Sequence, residues 1–140
     1  MPVQKLDGTG RRILVIDDDL AIRVLLQAVL KRMKFDVELA EDGADGLEKL
    51  ASDGSIDVIL LDLMMPRVNG YEFIERIGEK YPDSRPHIIV FTAAGRRGVD
   101  KIPPSAVCNS ILKPFDLDRF IEILGDCLNG GHSTMPTRSA

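Results

Sequence analysis

Apolar positions along the chain follow two alternating rhythms. Short runs, Ile13 to Ile16, Val37-Glu38-Leu39-Ala40, Val58 to Leu61, Ile88 to Phe91 and about Val107 to Leu112, read as strands. Between them apolar residues return every three or four positions: Ile22, Leu25, Leu26, Val29 and Met33; Leu47 and Leu50; Tyr71, Phe73, Ile74 and Ile77; Leu117, Phe120, Ile121, Leu124 and Leu128. Those are helical stripes. Glu41-Asp42-Gly43, Asp53-Gly54, the loop Pro66 to Gly70 and Pro82 mark turns and helix ends, so the predicted order is strand then helix, five times.

Strands that are apolar without interruption belong to a parallel sheet covered on both faces. Right-handed crossovers then give a doubly wound α/β domain, a five-stranded parallel sheet of flavodoxin-like (βα)5 type in the order 2-1-3-4-5. In such sheets ligands bind beyond the carboxyl ends of the strands. Asp17 to Asp19 end the first strand, Asp62 the third, Thr92 the fourth and Lys113 the fifth, so residues distant in sequence are expected on one rim.

The 140 residues suit one domain, expected over 11–128, with segments 1–10 and 129–140, rich in Gly, Ser, Thr and Pro, expected to be disordered. A net charge of -4 gives no support for direct binding to nucleic acid or an acidic membrane. The residues MPVQKLDGTGRR lack the apolar region of a signal peptide and no later stretch holds the apolar length of a membrane span, so a cytoplasmic location is expected. Cys108 and Cys127 lie outside any C-x-x-C or Cys/His cluster and read as reduced thiols rather than a zinc site or a disulfide.

The rim carries the candidate chemistry. Two carboxylates about 4 Å apart repel by roughly 4 kcal/mol at an effective dielectric near 20. Asp17, Asp18 and Asp62 together therefore call for a cation, and Mg²⁺, with its preference for hard oxygen ligands and a phosphate, fits. Lys113 adds a second positive charge. Such a site lets Asp62 attack phosphorus and become an aspartyl phosphate, with Thr92 offering its hydroxyl to the transferred group and Ala93 leaving room. Asp19 reads as a helix N-cap and Asp57 as a solvated residue before the third strand; Asn69-Gly70 reads as loop and cap. His87 is not expected to carry phosphate, and Asp42 to Gly46 lacks calcium-loop spacing.

Ile-Leu-Val-Ile-Asp-Asp-Asp at 13 to 19, Leu-Leu-Asp-Leu-Met-Met-Pro at 60 to 66, Val-Phe-Thr-Ala at 90 to 93 and Leu-Lys-Pro-Phe at 112 to 115 together resemble the receiver domain of bacterial two-component response regulators, over about Arg12 to Leu128. The resemblance implies that Asp62 is the phosphoacceptor, supplied by a sensor histidine kinase or a histidine phosphotransfer protein. It implies that Asp18, Asp62 and the backbone carbonyl of Met64 ligate Mg²⁺, with Asp17 acting through water, and that Thr92 and Lys113 contact the phosphoryl group. It further implies a cis Lys113-Pro114 peptide, a downstream protein target, a monomer or weak phosphorylation-dependent dimer, and no enzymatic role beyond assisting its own phosphotransfer and slow hydrolysis.

The chain departs from the family pattern twice. The switch position three before Lys113, usually Tyr or Phe, is Ser110. Gly95, Gly98, Pro103 and Pro104 crowd the segment of the fourth helix, which is expected to be short or irregular. A stand-alone receiver that transmits unusually is the resulting expectation. Two other readings compete: a constitutive, pseudo-receiver interaction module, and a haloacid-dehalogenase-like phosphatase, for which Asp17-x-Asp19 fits but Ala21 does not.

Overall fold

In a computed structural model, residues 6–52, 55–83 and 86–129 are described. The predicted strands and helices form in the expected order: β1 (Arg12–Ile16), α1 (Leu20–Arg32), β2 (Asp36–Ala40), α2 (Gly43–Ser52), β3 (Val58–Leu61), α3 (Gly70–Lys80), β4 (His87–Thr92), α4 (Gly95–Asp100), β5 (Asn109–Leu112) and α5 (Leu117–Leu128). The sheet runs β2-β1-β3-β4-β5 with every neighbouring pair parallel.

The unbroken apolar runs have the cause inferred for them. Alternate strand residues serve two separate cores: Ile13, Val15, Val58, Leu60, Ile89, Phe91 and Ile111 pack with Leu26, Leu30, Phe120 and Leu124 of α1 and α5. Leu14, Ile16, Ile59, Leu61, Ile88 and Val90 pack with Leu50, Phe73, Ile74 and Ile77 of α2 and α3. A fully buried side chain such as Phe73 or Phe120 stabilises the fold by about 2 kcal/mol relative to exposure. Polar residues therefore stand out where the strands end.

Helix starts are fixed by short polar residues. Asp19 Oδ1 accepts from Ala21 N at the start of α1, Asp116 Oδ1 accepts from Asp118 N at the start of α5, and Asn69 and Glu72 form a reciprocal capping box on α3. Asp19 and Asn69 are the caps expected. The fourth helix is short, six residues followed by a 3₁₀ turn at Pro104–Ala106, because the proline pair removes backbone donors and restricts Ile102.

Three expectations are corrected. Cys108 and Cys127 are not free thiols: they form a disulfide, with Cα atoms 6.2 Å apart. Cys108 immediately precedes β5 and Cys127 lies in the last turn of α5, so packing that helix on the sheet brings the two sulfurs together. Asp57 is not merely solvated, since its Oδ2 accepts from Arg12 N at 2.8 Å and its backbone N–H donates to Arg12 O, joining the β1 and β3 entries. Within the segment 1–10 expected to be disordered, residues 6–10 are placed on the domain: Leu6 packs on the α1 and α5 core and Gly8 N donates to Met33 O at 2.7 Å. Residues 1–5 and 130–140 of the two expected disordered segments lie outside the described residues.

Candidate functional site

The carboxyl ends of β1, β3, β4 and β5 bring the sequence-predicted residues to one rim. Asp17 directly follows β1 and is fully buried; Asp62 follows β3 and is 4% exposed; Thr92 is the last residue of β4 and fully buried; Lys113 follows β5. Their burial is inherited from the strands, because parallel pairing leaves each next residue at the lip of the core. Lys113 Nζ donates to Asp17 Oδ2 at 2.9 Å and stands 3.7 Å from Asp62 Oδ2. Its stem crosses the apolar rim with Nζ 5.1 Å from the Phe91 ring centroid. The Lys113-Pro114 peptide is cis.

Carboxylate oxygens of Asp17, Asp18 and Asp62 lie within 4.8 Å of one another. Burial, and next the charge of Asp17, push the Asp62 carboxyl up to about 6, against the opposing pull of Lys113. At Lys113, burial lowers the ammonium, but the hydrogen bond to Asp17 and the charges of Asp17 and Asp62 outweigh it and hold it above its usual range. One lysine thus leaves excess negative charge on three carboxylates. Hard oxygen donors in this number and spacing, with charge still to be neutralised, fit a divalent cation such as Mg²⁺.

The site's loops are held in detail. Asp17 Oδ1 accepts from Asp19 N at 2.8 Å, and Met64 N is directed at Asp62 Oδ1 at 3.4 Å. Gly70 N donates to Leu63 O at 2.9 Å, closing the base of the β3 to α3 loop. Glycine is required there: a Cβ at Gly70 would stand 2.6 Å from Leu63 Cα and 2.7 Å from Asp62 O. Thr92 Oγ1 accepts from Ala94 N at 3.0 Å. Ser110, half-buried on β5, pairs in register with Val90 of β4.

Asp42 and Arg67 were not anticipated as partners. The Arg67 guanidinium makes two hydrogen bonds to the buried Asp42 carboxylate and holds that carboxyl below its usual range. The available signal was a charged residue beside Pro66 in a loop leading from the rim, facing the acidic turn after the second strand. Tyr71 Oη donates to Gly98 O at 2.8 Å, a second unanticipated link, from α3 to α4.

Comparison with known proteins agrees with this geometry. The family model of the response regulator receiver domain matches residues 13–125. The chemotaxis protein CheY of Bacillus subtilis is 33% identical over 123 residues, covering 86% of this chain and 99% of that protein. The DNA-binding transcriptional regulator NtrC of Rhizobium meliloti is 32% identical over 120 residues, again 86% of this chain but 24% of NtrC. The crystal structure of the response regulator TrrA of Thermotoga maritima, in complex with Mg²⁺-BeF, superposes with a TM-score of 0.72 at 32% identity, over 81% of this chain and 96% of that one. Sequence, topology and the constellation at the strand ends agree, and the chain belongs to the response regulator receiver domain family.

Proposed function

We propose that this receiver accepts a phosphoryl group on Asp62 from the phosphohistidine of a sensor histidine kinase or a histidine phosphotransfer protein, and signals to a downstream protein target by a change of conformation. The observation that carries the proposal is the buried Asp62 carboxylate at a strand end, grouped with Asp17, Asp18 and Lys113. Receiver domains are signalling modules of two-component systems that work with histidine kinases and downstream effectors.

In this reading an Asp62 oxygen attacks phosphorus, the P–N bond of the phosphohistidine breaks, and its electron pair returns to the imidazole. Asp18, Asp62 and the Met64 carbonyl would hold Mg²⁺, with Asp17 contributing through water. The ion, when bound, neutralises charge on the carboxylates and on the transferred group. Lys113 stays protonated, held so by Asp17 and Asp62, and supplies a fixed positive charge to the phosphoryl oxygens. Thr92 Oγ1 accepts from Ala94 N at the start of α4, and although the O–H is free to donate elsewhere, a movement of Oγ1 toward the phosphoryl group gives up Ala94 N. That exchange is the proposed link between chemistry and conformation, in a chain where Ser110 provides no ring to turn.

Among the described residues no helix is long and apolar enough to cross a membrane. The proposed location is the cytoplasm, with no direct nucleic-acid contact, as a monomer or a weak phosphorylation-dependent dimer. Ser110 favours a second reading, a constitutive interaction module. Beryllofluoride, bound with Mg²⁺ in the TrrA structure, separates the two. Amide signals around Asp62, Thr92 and Ala94 shift when beryllofluoride and Mg²⁺ are added together if the receiver is competent; an unchanged spectrum would support the constitutive module.

A further inference from the structure

The loop from Asp62 to Asn69 contains one charged side chain besides Asp62, that of Arg67. Arg67 adopts φ 64°, a left-handed conformation disfavoured for a residue with a Cβ. Its guanidinium nevertheless meets Asp42 squarely, Nε to Oδ2 at 2.6 Å and Nη2 to Oδ1 at 2.9 Å. Asp42 is rigidly placed, its side chain 7% exposed and its Oδ1 accepting from Asp45 N at 2.8 Å in the first turn of α2. Beside the pair, Gly43 N donates to Val68 O at 3.1 Å, and a Cβ at Gly43 would stand 2.1 Å from that oxygen. The two loops are therefore pressed together backbone to backbone.

The segment Met64 to Pro66 is thus tethered at both ends: at its base by Gly70 N to Leu63 O, and at its far end by the Asp42–Arg67 pair and Gly43. We propose that Asp42 and Arg67 are positioning residues for the divalent cation, fixing the loop so that the Met64 carbonyl faces the Asp18 and Asp62 carboxylates. The proposal rests on the reading of the rim as a Mg²⁺ site. Groups that orient metal ligands from outside the coordination shell commonly set affinity by about 10-fold or more.

The sign of the effect separates positioning from simple charge. Removing the Arg67 cation by charge alone would tighten Mg²⁺, whereas loss of the tether weakens it. Arg67→Gly is the suitable variant because glycine accepts the left-handed backbone and so keeps the fold. Isothermal titration with Mg²⁺ is expected to give a Kd about 10-fold weaker than the parent, read well below the variant's Tm in EDTA, which falls because Asp42 loses its cation. Asp42→Asn, which keeps an acceptor for Asp45 N, is expected to weaken Mg²⁺ similarly, and the double variant no further. In labelling by acetyl phosphate, the Mg²⁺ concentration for half-maximal rate rises about 10-fold while the rate at saturating Mg²⁺ is retained. An Arg67→Gly Kd within twofold of the parent, or tighter, overturns the proposal while leaving the Mg²⁺ site intact. A parent protein with no Asp62-dependent Mg²⁺ binding would overturn both.

Discussion

Lys113 Nζ is hydrogen-bonded to Asp17 at 2.9 Å and stands farther, 3.7 Å, from Asp62. One ammonium is divided between two buried carboxylates, and the geometry gives Asp17 the larger share. Asp62 consequently keeps its raised pKa of about 6 despite a cation nearby. Lys113→Met removes the one group that favours its ionised form by charge. The midpoint of Asp62, followed by carboxyl carbon NMR, is expected to move up from about 6 to roughly 7. A midpoint unmoved or lowered would show that the lysine does not act on Asp62.

The raised pKa of Asp62 has a consequence for stability. In the unfolded chain the carboxyl titrates near 3.8, in the folded one near 6, so folding favours the protonated form. Its contribution is fully present below pH 3.8 and is lost as pH rises through about 6. Asp62→Asn, which carries no charge at any pH, is expected to flatten the stability profile between these values. At pH 7 it raises Tm by a few degrees, the change produced by about 1 kcal/mol in a domain of this size. Mg²⁺ at 10 times its Kd stabilises the parent by about 1.4 kcal/mol and the variant less. Thermal unfolding across pH, with EDTA or Mg²⁺, reads both effects.

Thr92 is fully buried, and its hydroxyl receives the amide of Ala94, the residue before α4, which has no side-chain cap of its own. Thr92→Val keeps the shape and removes the acceptor. The loss of a buried amide's partner costs about 1 kcal/mol. Amide hydrogen exchange over residues 94–100 is expected to quicken about fivefold by that amount, and phosphorylation of Asp62 to slow. Exchange unchanged in this segment would break the proposed path from Thr92 to the short fourth helix.

The Cys108–Cys127 disulfide closes a sequence separation of 19 and ties the end of α5 to the entry of β5. Unfolded without reductant, the protein is expected to take up no iodoacetamide, and after dithiothreitol to take up two equivalents, one per cysteine. Reduction is expected to cost about 3 kcal/mol of stability, the chain-entropy value for a loop of this size. Disulfides are rare where glutathione keeps thiols reduced. Alkylation of both cysteines in rapidly quenched cells would identify the dithiol as the form present in the proposed cytoplasmic setting.

What was legible in the sequence followed from burial. Ile13 to Ile16 and Val58 to Leu61 must face apolar neighbours on both sides, so Asp17 and Asp62 were conspicuous as the acids that end them, and Thr92 and Lys113 were marked in the same way. Pro103 and Pro104 likewise limited the fourth helix, since a missing N–H is a local property. What was not legible depends on apposition of segments. Arg67 and Asp42 are 25 residues apart and meet because Gly43 lets two loops touch; Cys108 and Cys127 meet because α5 lies across the sheet edge. Leu6 and Gly8 fall in the segment expected to be disordered, yet Leu6 packs on the core and Gly8 bonds to the chain just beyond α1.

Whether Asp62 carries the phosphoryl group can be read from intact mass. The protein is incubated with acetyl phosphate and Mg²⁺ beside Asp62→Asn. A labile gain of one phosphoryl group is expected in the parent, absent from the variant and absent when EDTA replaces Mg²⁺. No gain, under conditions that label an ordinary receiver, or an equal gain in Asp62→Asn, would contradict it.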